Sequence, residues 1–394
     1  MKTVLALAAV AVGLVLTAIA GLWIYVSATA TPLHPSAQSI QSVARAEPSA
    51  TWADAVGRAR QIARVGLTAQ NLPGLSVAVG VGGEIIWAEG LGWADLETHA
   101  PVAPEMRFRT GGVSMALTSI LVGLLLERDR LRLDDEIQKY VPTFPKKPWP
   151  VTLRQLMGHQ AGIRVDGGDE EPLSERCEQT IDALPRFAER PLLFEPGTQF
   201  RYTTYGWILV SAAVEAVADQ PFLRVMRDEV FRPLELNDTE PDSPTKPLPN
   251  LATFYYPRFA GDTRYGPEEA RPGDYACFAG AGAFLSTPSD LVRFGIAING
   301  GKLLQPATVK MLQTPQRLAS GAETGYALGW DLETVSLAGQ STRQVGHDGE
   351  YFIGGSTSLI TFPERGIVVA VMTNTSFADT NAIALNVAQV FASR

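Results

Sequence analysis

The longest uninterrupted apolar run opens the chain: Val4 to Val26 ("VLALAAVAVGLVLTAIAGLWIYV") holds no charged residue. At 1.5 Å per residue it makes roughly 34 Å of helix, enough to cross a hydrocarbon layer of about 30 Å. Lys2 precedes the run, and Trp23 and Tyr25 stand where an interfacial aromatic belt would lie. Residues 1–30 therefore read as a membrane anchor, with the membrane contacted through residues 4–26. The alternative is a signal peptide cleaved after Ala28-Thr29-Ala30 and a secreted product. Both readings export the remainder to the periplasmic or extracellular side. Residues 31–50 are polar, hold three prolines and show no apolar periodicity, which predicts a flexible linker.

From Thr51 onward the pattern changes twice. "LSVAVGVGGEIIWAEGLGWAD" (75–95) is two apolar runs broken by Gly82-Gly83, a hairpin signature. A strongly apolar helix follows from Val113 to about Leu133, and helical periodicity dominates 151–300 in "TLRQLMGH", "YGWILVSAAVEAVAD" and "PSDLVRFGIAIN". Strand patterns return at 354–362 and 366–374, and a final helix is predicted over 379–392. Strands at both ends with helices between predict an α+β domain over 51–394. Its antiparallel sheet would come from residues 51–110 and 315–394, with 111–314 inserted as a mostly helical region.

Composition narrows the chemistry. The net charge of −8 and the absence of a basic cluster exclude a nucleic-acid partner. Four scattered histidines and no CxxC pair predict no metal site. Cys177 and Cys277 lie a hundred residues apart with nothing local to position them together, so two free or buried thiols is the plainer reading, and a disulfide in an oxidising compartment stays open.

Six spaced stretches carry a resemblance: the helix start "FRTGGVSM" (108–115), "LMGHQAGIR" (156–164), "FEPGTQFRYTTYGW" (194–207), "GAGAFLSTPSDLVRF" (280–294), "YALGW" (326–330) and "VGHDG" (345–349). In order and spacing they resemble the serine beta-lactamase and penicillin-binding-protein family, in its class C-like, D,D-peptidase-type and mitochondrial beta-lactamase-like branch. The resemblance covers nearly the whole exported part. It implies a beta-lactamase-like antiparallel five-stranded sheet flanked by helices, and hydrolysis of amides, esters or peptides through an acyl-serine. No cofactor is implied. A small-molecule or peptide ligand is, and a homo-oligomer is left open.

That chemistry needs a serine at a helix start with a lysine three residues on, so that both face the same way and the amine can take the hydroxyl proton. Here the nucleophile position is Gly112 and the lysine position is Met115. The resemblance assigns Tyr202 to the family's tyrosine element, with Thr204 at its usual asparagine position. His347-Asp348-Gly349 falls on the strand element that lines the opposite wall, and Asp348 stands where a threonine is usual. Tyr202 and His347 are thus the remaining catalytic candidates, and Thr204, Asp348 and Gly349 the substrate-binding ones. The oxyanion donors would be the N–H groups of Gly112 and Glu350.

Ser114, about 200° around the helix from 112, faces away and reads as a buried hydroxyl bonded to a preceding carbonyl. His159 reads as a structural residue closing a loop under the site. Losing a serine nucleophile costs roughly 10⁶ in kcat, and an oxyanion hole with binding alone leaves roughly 10³ to 10⁴ over water. The expectation is a site that binds family-type ligands and turns them over poorly or not at all. The acidic stretch 166–176 and the long segment 241–275, with Tyr255, Tyr256 and Tyr275, are expected to shape the cleft mouth.

Overall fold

The uncharged N-terminal run forms one helix, α1 (Lys2–Thr29), in the computed structural model, which describes residues 2–164, 177–242, 248–270, 273–350 and 354–393. From Ala8 to Thr29 it is long and apolar enough to cross a membrane, and the rest of the chain leaves it almost wholly uncovered.

The next stretch is not the free linker that its composition predicts. Leu33 donates its N–H to Asn71 Oδ1 at 2.8 Å, and His34 Nε2 donates to the carbonyls of Leu72 and Pro73 at 3.2 and 3.0 Å. β1 (Ser42–Ala44) then pairs with residues 89–91 on the sheet edge. Backbone and imidazole hydrogen bonds supply this order, and hydrophobic periodicity does not register them.

α2 (Ala53–Ala69) buries Val56, Ala59, Ala63 and Leu67 on one stripe. β2 (Gly74–Val81) and β3 (Glu84–Asp95) form the expected hairpin about Gly82-Gly83, whose φ angles of +61° and +94° suit a turn that matches strand twist. β4 (Ala100–Pro101) folds back on β3. α3 (Val113–Glu127) is apolar on every side and is buried without a break from Val113 to Leu125. It stops short of the predicted Leu133 because the chain turns away at Asp129, at φ +53°. α4 (Thr204–Ala218) and α5 (Pro288–Asn299) complete the large helices of the inserted region. The C-terminal segment supplies β5 (Asp331–Leu337), β6 (Gln340–Glu350), β7 (Ser356–Phe362), β8 (Ile367–Thr373) and α6 (Thr380–Ala392).

The fold is α+β, with an antiparallel sheet made from both ends of the chain. Its strand order is β1-β3-β2-β8-β7-β6-β5, with β4 also on β3. Among the described residues the sheet has eight strands rather than five. The additions include β1 and β4, which are too short and too polar to show alternation. The two halves join where β8 pairs with β2, Val369 opposite Val79. α2 and α6 cover one face around Val369, Val371 and Leu75, and α5 packs on the other against Gly80, beside the core built on α3 and α4.

Of the two readings of the cysteines, the structure has the disulfide and not the free thiols. Cys177 and Cys277 form a disulfide with their Cα atoms 5.0 Å apart. Two short turns, Thr180–Arg186 and Ala276–Ala281, both pack on α4 and on each other, and that tertiary meeting is invisible in local sequence. The acidic stretch 166–176 lies outside the described residues.

Candidate active site

The site is built where β6 meets the start of α3 with no side chain between them. A Cβ at Gly349 would stand 1.9 Å from the Thr110 carbonyl oxygen, so only glycine permits this approach. The contact sets residues 111–112 against 349–350: a Cβ on Gly111 would lie 2.8 Å from the Glu350 nitrogen. The N–H groups of Gly112 and Glu350 thus belong to neighbouring stretches of backbone. Gly112 caps α3, where helix geometry leaves N–H groups without an intrahelical partner and the macrodipole favours negative charge.

Around Gly112 the expected residues converge. A Cβ there would be 2.7 Å from the Tyr202 hydroxyl, from His347 Cε1 and from the Asp348 carbonyl oxygen. Met115 is fully buried one turn on, and its Sδ accepts from the Tyr202 hydroxyl at 3.5 Å and faces the Tyr326 hydroxyl at 3.8 Å. A thioether is a weak acceptor and carries no charge. Where an ammonium would hold two phenols, a sulfur fills the space.

His347 is buried and its tautomer follows from its neighbours. Nδ1 lies 2.5 Å from the Asp348 carbonyl, which can only accept, so Nδ1 carries the proton. Nε2 then accepts from the Tyr326 hydroxyl at 2.8 Å. Burial raises the Tyr326 phenol well above its ordinary pKa, with Tyr202 and Asp331 acting in the same direction. This chain of bonds fixes the imidazole facing Gly112.

His159 closes the floor beneath both tyrosines. Its ring centre is 4.3 Å from that of Tyr202 and 4.6 Å from that of Tyr326, and Nδ1 accepts the Thr203 N–H at 3.2 Å. Complete burial, and then the nearby His347, lowers its pKa well below the ordinary value. Nε2 therefore holds the proton, and it has no hydrogen-bond partner among the described residues.

The cleft above these groups measures about 370 Å³ and is lined by Gly112, Tyr202, Thr204, Phe278, His347 and Phe377, among others. Tyr202 stands 42% exposed to it, at the approach to α4. The acidic residues Asp331 and Glu350 border the same space, Asp348 reaches it through its carbonyl oxygen, and no described lining residue is cationic. Burial raises the Glu350 carboxyl.

Asp348 departs from its expected role. Alternation along β6 sends His347 inward and Asp348 to the opposite face. There its carboxylate accepts from Asn381 Nδ2 of α6 at 3.0 and 3.2 Å, and its carbonyl oxygen is what borders Gly112. Desolvation raises its pKa despite exposure on one side.

Ser114 also points away, as expected, but its hydroxyl meets the Thr110 hydroxyl at 2.8 Å rather than a carbonyl. Tyr255 and Tyr275 are buried: the Tyr255 hydroxyl accepts the Leu96 N–H, and Tyr275 lies under the Arg109 guanidinium. Both pack the long segment. Sequence reasoning gave no role to Tyr326, although it begins the quoted "YALGW", nor to Phe278 and Phe377. A tyrosine heading one of the six spaced stretches was the available signal for the first; the two phenylalanines offered none.

Comparison with known proteins identifies the family. A family model described as Beta-lactamase matches residues 59–392. The chain belongs to the beta-lactamase family. Among curated proteins it is similar to Serine beta-lactamase-like protein LACTB, mitochondrial, of Homo sapiens, at 27% identity over 81% of this chain and 76% of that one. It is also similar to Penicillin-binding protein 4* of Bacillus subtilis (strain 168), at 24% identity over 76% and 67%. Among solved structures, the octameric penicillin-binding protein homologue from Pyrococcus abyssi superposes with a TM-score of 0.71 at 21% identity, covering 84% of this chain and 76% of that one. FmtA from Staphylococcus aureus does so with a TM-score of 0.72 at 19% identity, covering 88% and 89%. At those identities the structures establish the shared fold alone.

Proposed function

We propose that this member of a serine hydrolase family binds an amide- or ester-bearing ligand in its cleft without forming an acyl-enzyme. The observation that carries the reading is Met115 Sδ between the Tyr202 and Tyr326 hydroxyls, beside a Gly112 that has no hydroxyl to acylate. An acyl route needs a nucleophile and a base to take its proton. A phenol of ordinary pKa about 10 serves as that base at neutral pH only beside a cation, and the described lining supplies none. The two backbone N–H groups still polarise a bound carbonyl, so binding outlasts chemistry. The acidic rim favours neutral or cationic ligands over carboxylates. Anchoring through α1, with the domain exported, agrees with the disulfide, which persists in oxidising compartments. Self-assembly has support in the octameric homologue.

The test is restoration. A Gly112→Ser, Met115→Lys double variant, treated with an uncharged fluorophosphonate probe, is expected to label covalently. Because a Cβ at 112 crowds the Asp348 carbonyl, thermal melting must first show that the variant folds. A folded double variant that stays unlabelled contradicts the reading.

A further inference from the structure

The short hairpin Tyr255–Pro257 and Pro267–Glu269 encloses a loop, residues 258–266, that no part of the site chemistry uses. This loop holds the C-terminal end of α1. Arg258 donates from Nη2 to the Val26 carbonyl at 3.3 Å and from Nη1 to Thr29 Oγ1 at 3.2 Å, a cation placed at the negative end of the helix. The same guanidinium binds the Tyr265 carbonyl at 2.9 and 2.7 Å. The Tyr265 hydroxyl accepts from Trp23 Nε1 at 2.9 Å, one turn further toward the membrane end of α1. The loop therefore reaches down the helix to the level of Trp23, where the apolar run ends and an interfacial aromatic belongs. Phe259 packs edge-on against Tyr265 there, with ring centres 5.8 Å apart.

The same loop also touches the cleft mouth. Its base is stitched to the segment after β8: the Tyr255 N–H donates to the Asn374 carbonyl at 2.8 Å, and the Ser376 N–H to the Tyr255 carbonyl at 3.2 Å. Phe377 comes next. It is 38% exposed, holds a left-handed φ of +62°, lines the cleft, and packs its ring against Gly261 of the loop. A bulky residue held in that conformation is strained, and the surrounding contacts hold it there. The residues after α1 are pinned at Leu33 and His34, so little slack remains between helix and domain.

Taking α1 as a membrane helix, on which this rests, we propose that loop 258–266 and Phe377 lie on the bilayer surface and open the cleft toward it. The ligand class then sharpens to an amide or ester carried by a membrane-embedded amphiphile, approaching along the lipid surface.

The experiment uses the full chain in phosphatidylcholine vesicles. The native cysteines are paired, so a single added thiol carries an environment-sensitive fluorophore at Ala260→Cys, Phe377→Cys or Glu364→Cys. Glu364 sits beyond the other end of β8, roughly 23 Å along the strand from Thr373. Headgroup spin-labelled lipid is expected to quench the labels at 260 and 377 several-fold more than the label at 364, and aqueous iodide is expected to do the reverse. Adding Arg258→Ala and Tyr265→Phe is expected to bring lipid quenching at 260 down to the level at 364. Lipid quenching at 260 but not at 377 overturns the cleft orientation. Equal iodide access at all three sites, in chains that float with the vesicles, overturns the resting face. Chains that do not float overturn the membrane reading of α1. None of these outcomes bears on acylation, so they stay distinguishable from failure of the proposed function.

Discussion

At the scale of single residues, the proposed function rests on two positions, small at 112 and uncharged at 115, to which the resemblance assigns a hydroxyl and a charge. Glycine at 112 adds no bulk and keeps its N–H. Methionine at 115 keeps the length and burial of a lysine and removes its ammonium. What stays is a cluster of Tyr202, Tyr326, His347 and His159, and the complete burial of His159 has a measurable consequence. The folded pKa of His159 is depressed while its unfolded value stays near 6.5. Between those values the unfolded chain binds more protons, so stability rises with pH. The contribution is complete above about pH 6.5 and is lost as pH falls toward the folded pKa, at up to about 1.4 kcal/mol per unit. His34, also depressed by burial, acts in the same direction. The isolating comparison is therefore His159→Gln, which keeps an acceptor for the Thr203 N–H. Melting temperatures taken across the acid range should fall less steeply for the variant; parallel slopes would show that His159 is not held neutral.

Among the elements, two connections decide how the site is held. The disulfide joins residue 177 to residue 277, next to Phe278 in the cleft wall, and so ties the strip 276–282 to the turn at 180–186 that packs on α4 beside it. It closes a hundred-residue loop, and the loss of such a bond typically costs about 2–5 kcal/mol. Cys277→Ser should lower the denaturant midpoint by a corresponding amount, and reductant should do the same to the native protein. A midpoint unmoved by either would mean that the bond holds nothing in place. The second connection is the meeting of β6 with α3, which depends on Gly349 having no Cβ. It places the helix N-terminus and the strand donors at one mouth, and because it is made of backbone it does not depend on a side chain at position 112.

For the whole molecule, the sequence reveals the sheet's origin in both chain ends, the hairpin at 82–83, the buried helix at 113 and most of the residues around Gly112. These rest on strong local signals: glycine turns, unbroken apolar runs and spaced motifs. What it hides is long-range. The Cys177–Cys277 pairing, the edge strand at 42–44, the Asn381 partner of Asp348 and the clamp on α1 each depend on residues dozens to hundreds of positions apart. Tyr326 was in view as part of a motif, and only its 2.8 Å bond to His347 gives it a place in the site. The central claim is that the native cleft binds without acylation. Intact mass spectrometry of the native chain after prolonged exposure to excess fluorophosphonate tests it most directly. An unchanged mass, accompanied by a ligand-induced rise in melting temperature with an uncharged ester, is the predicted result. A stoichiometric mass gain of one probe adduct would contradict it.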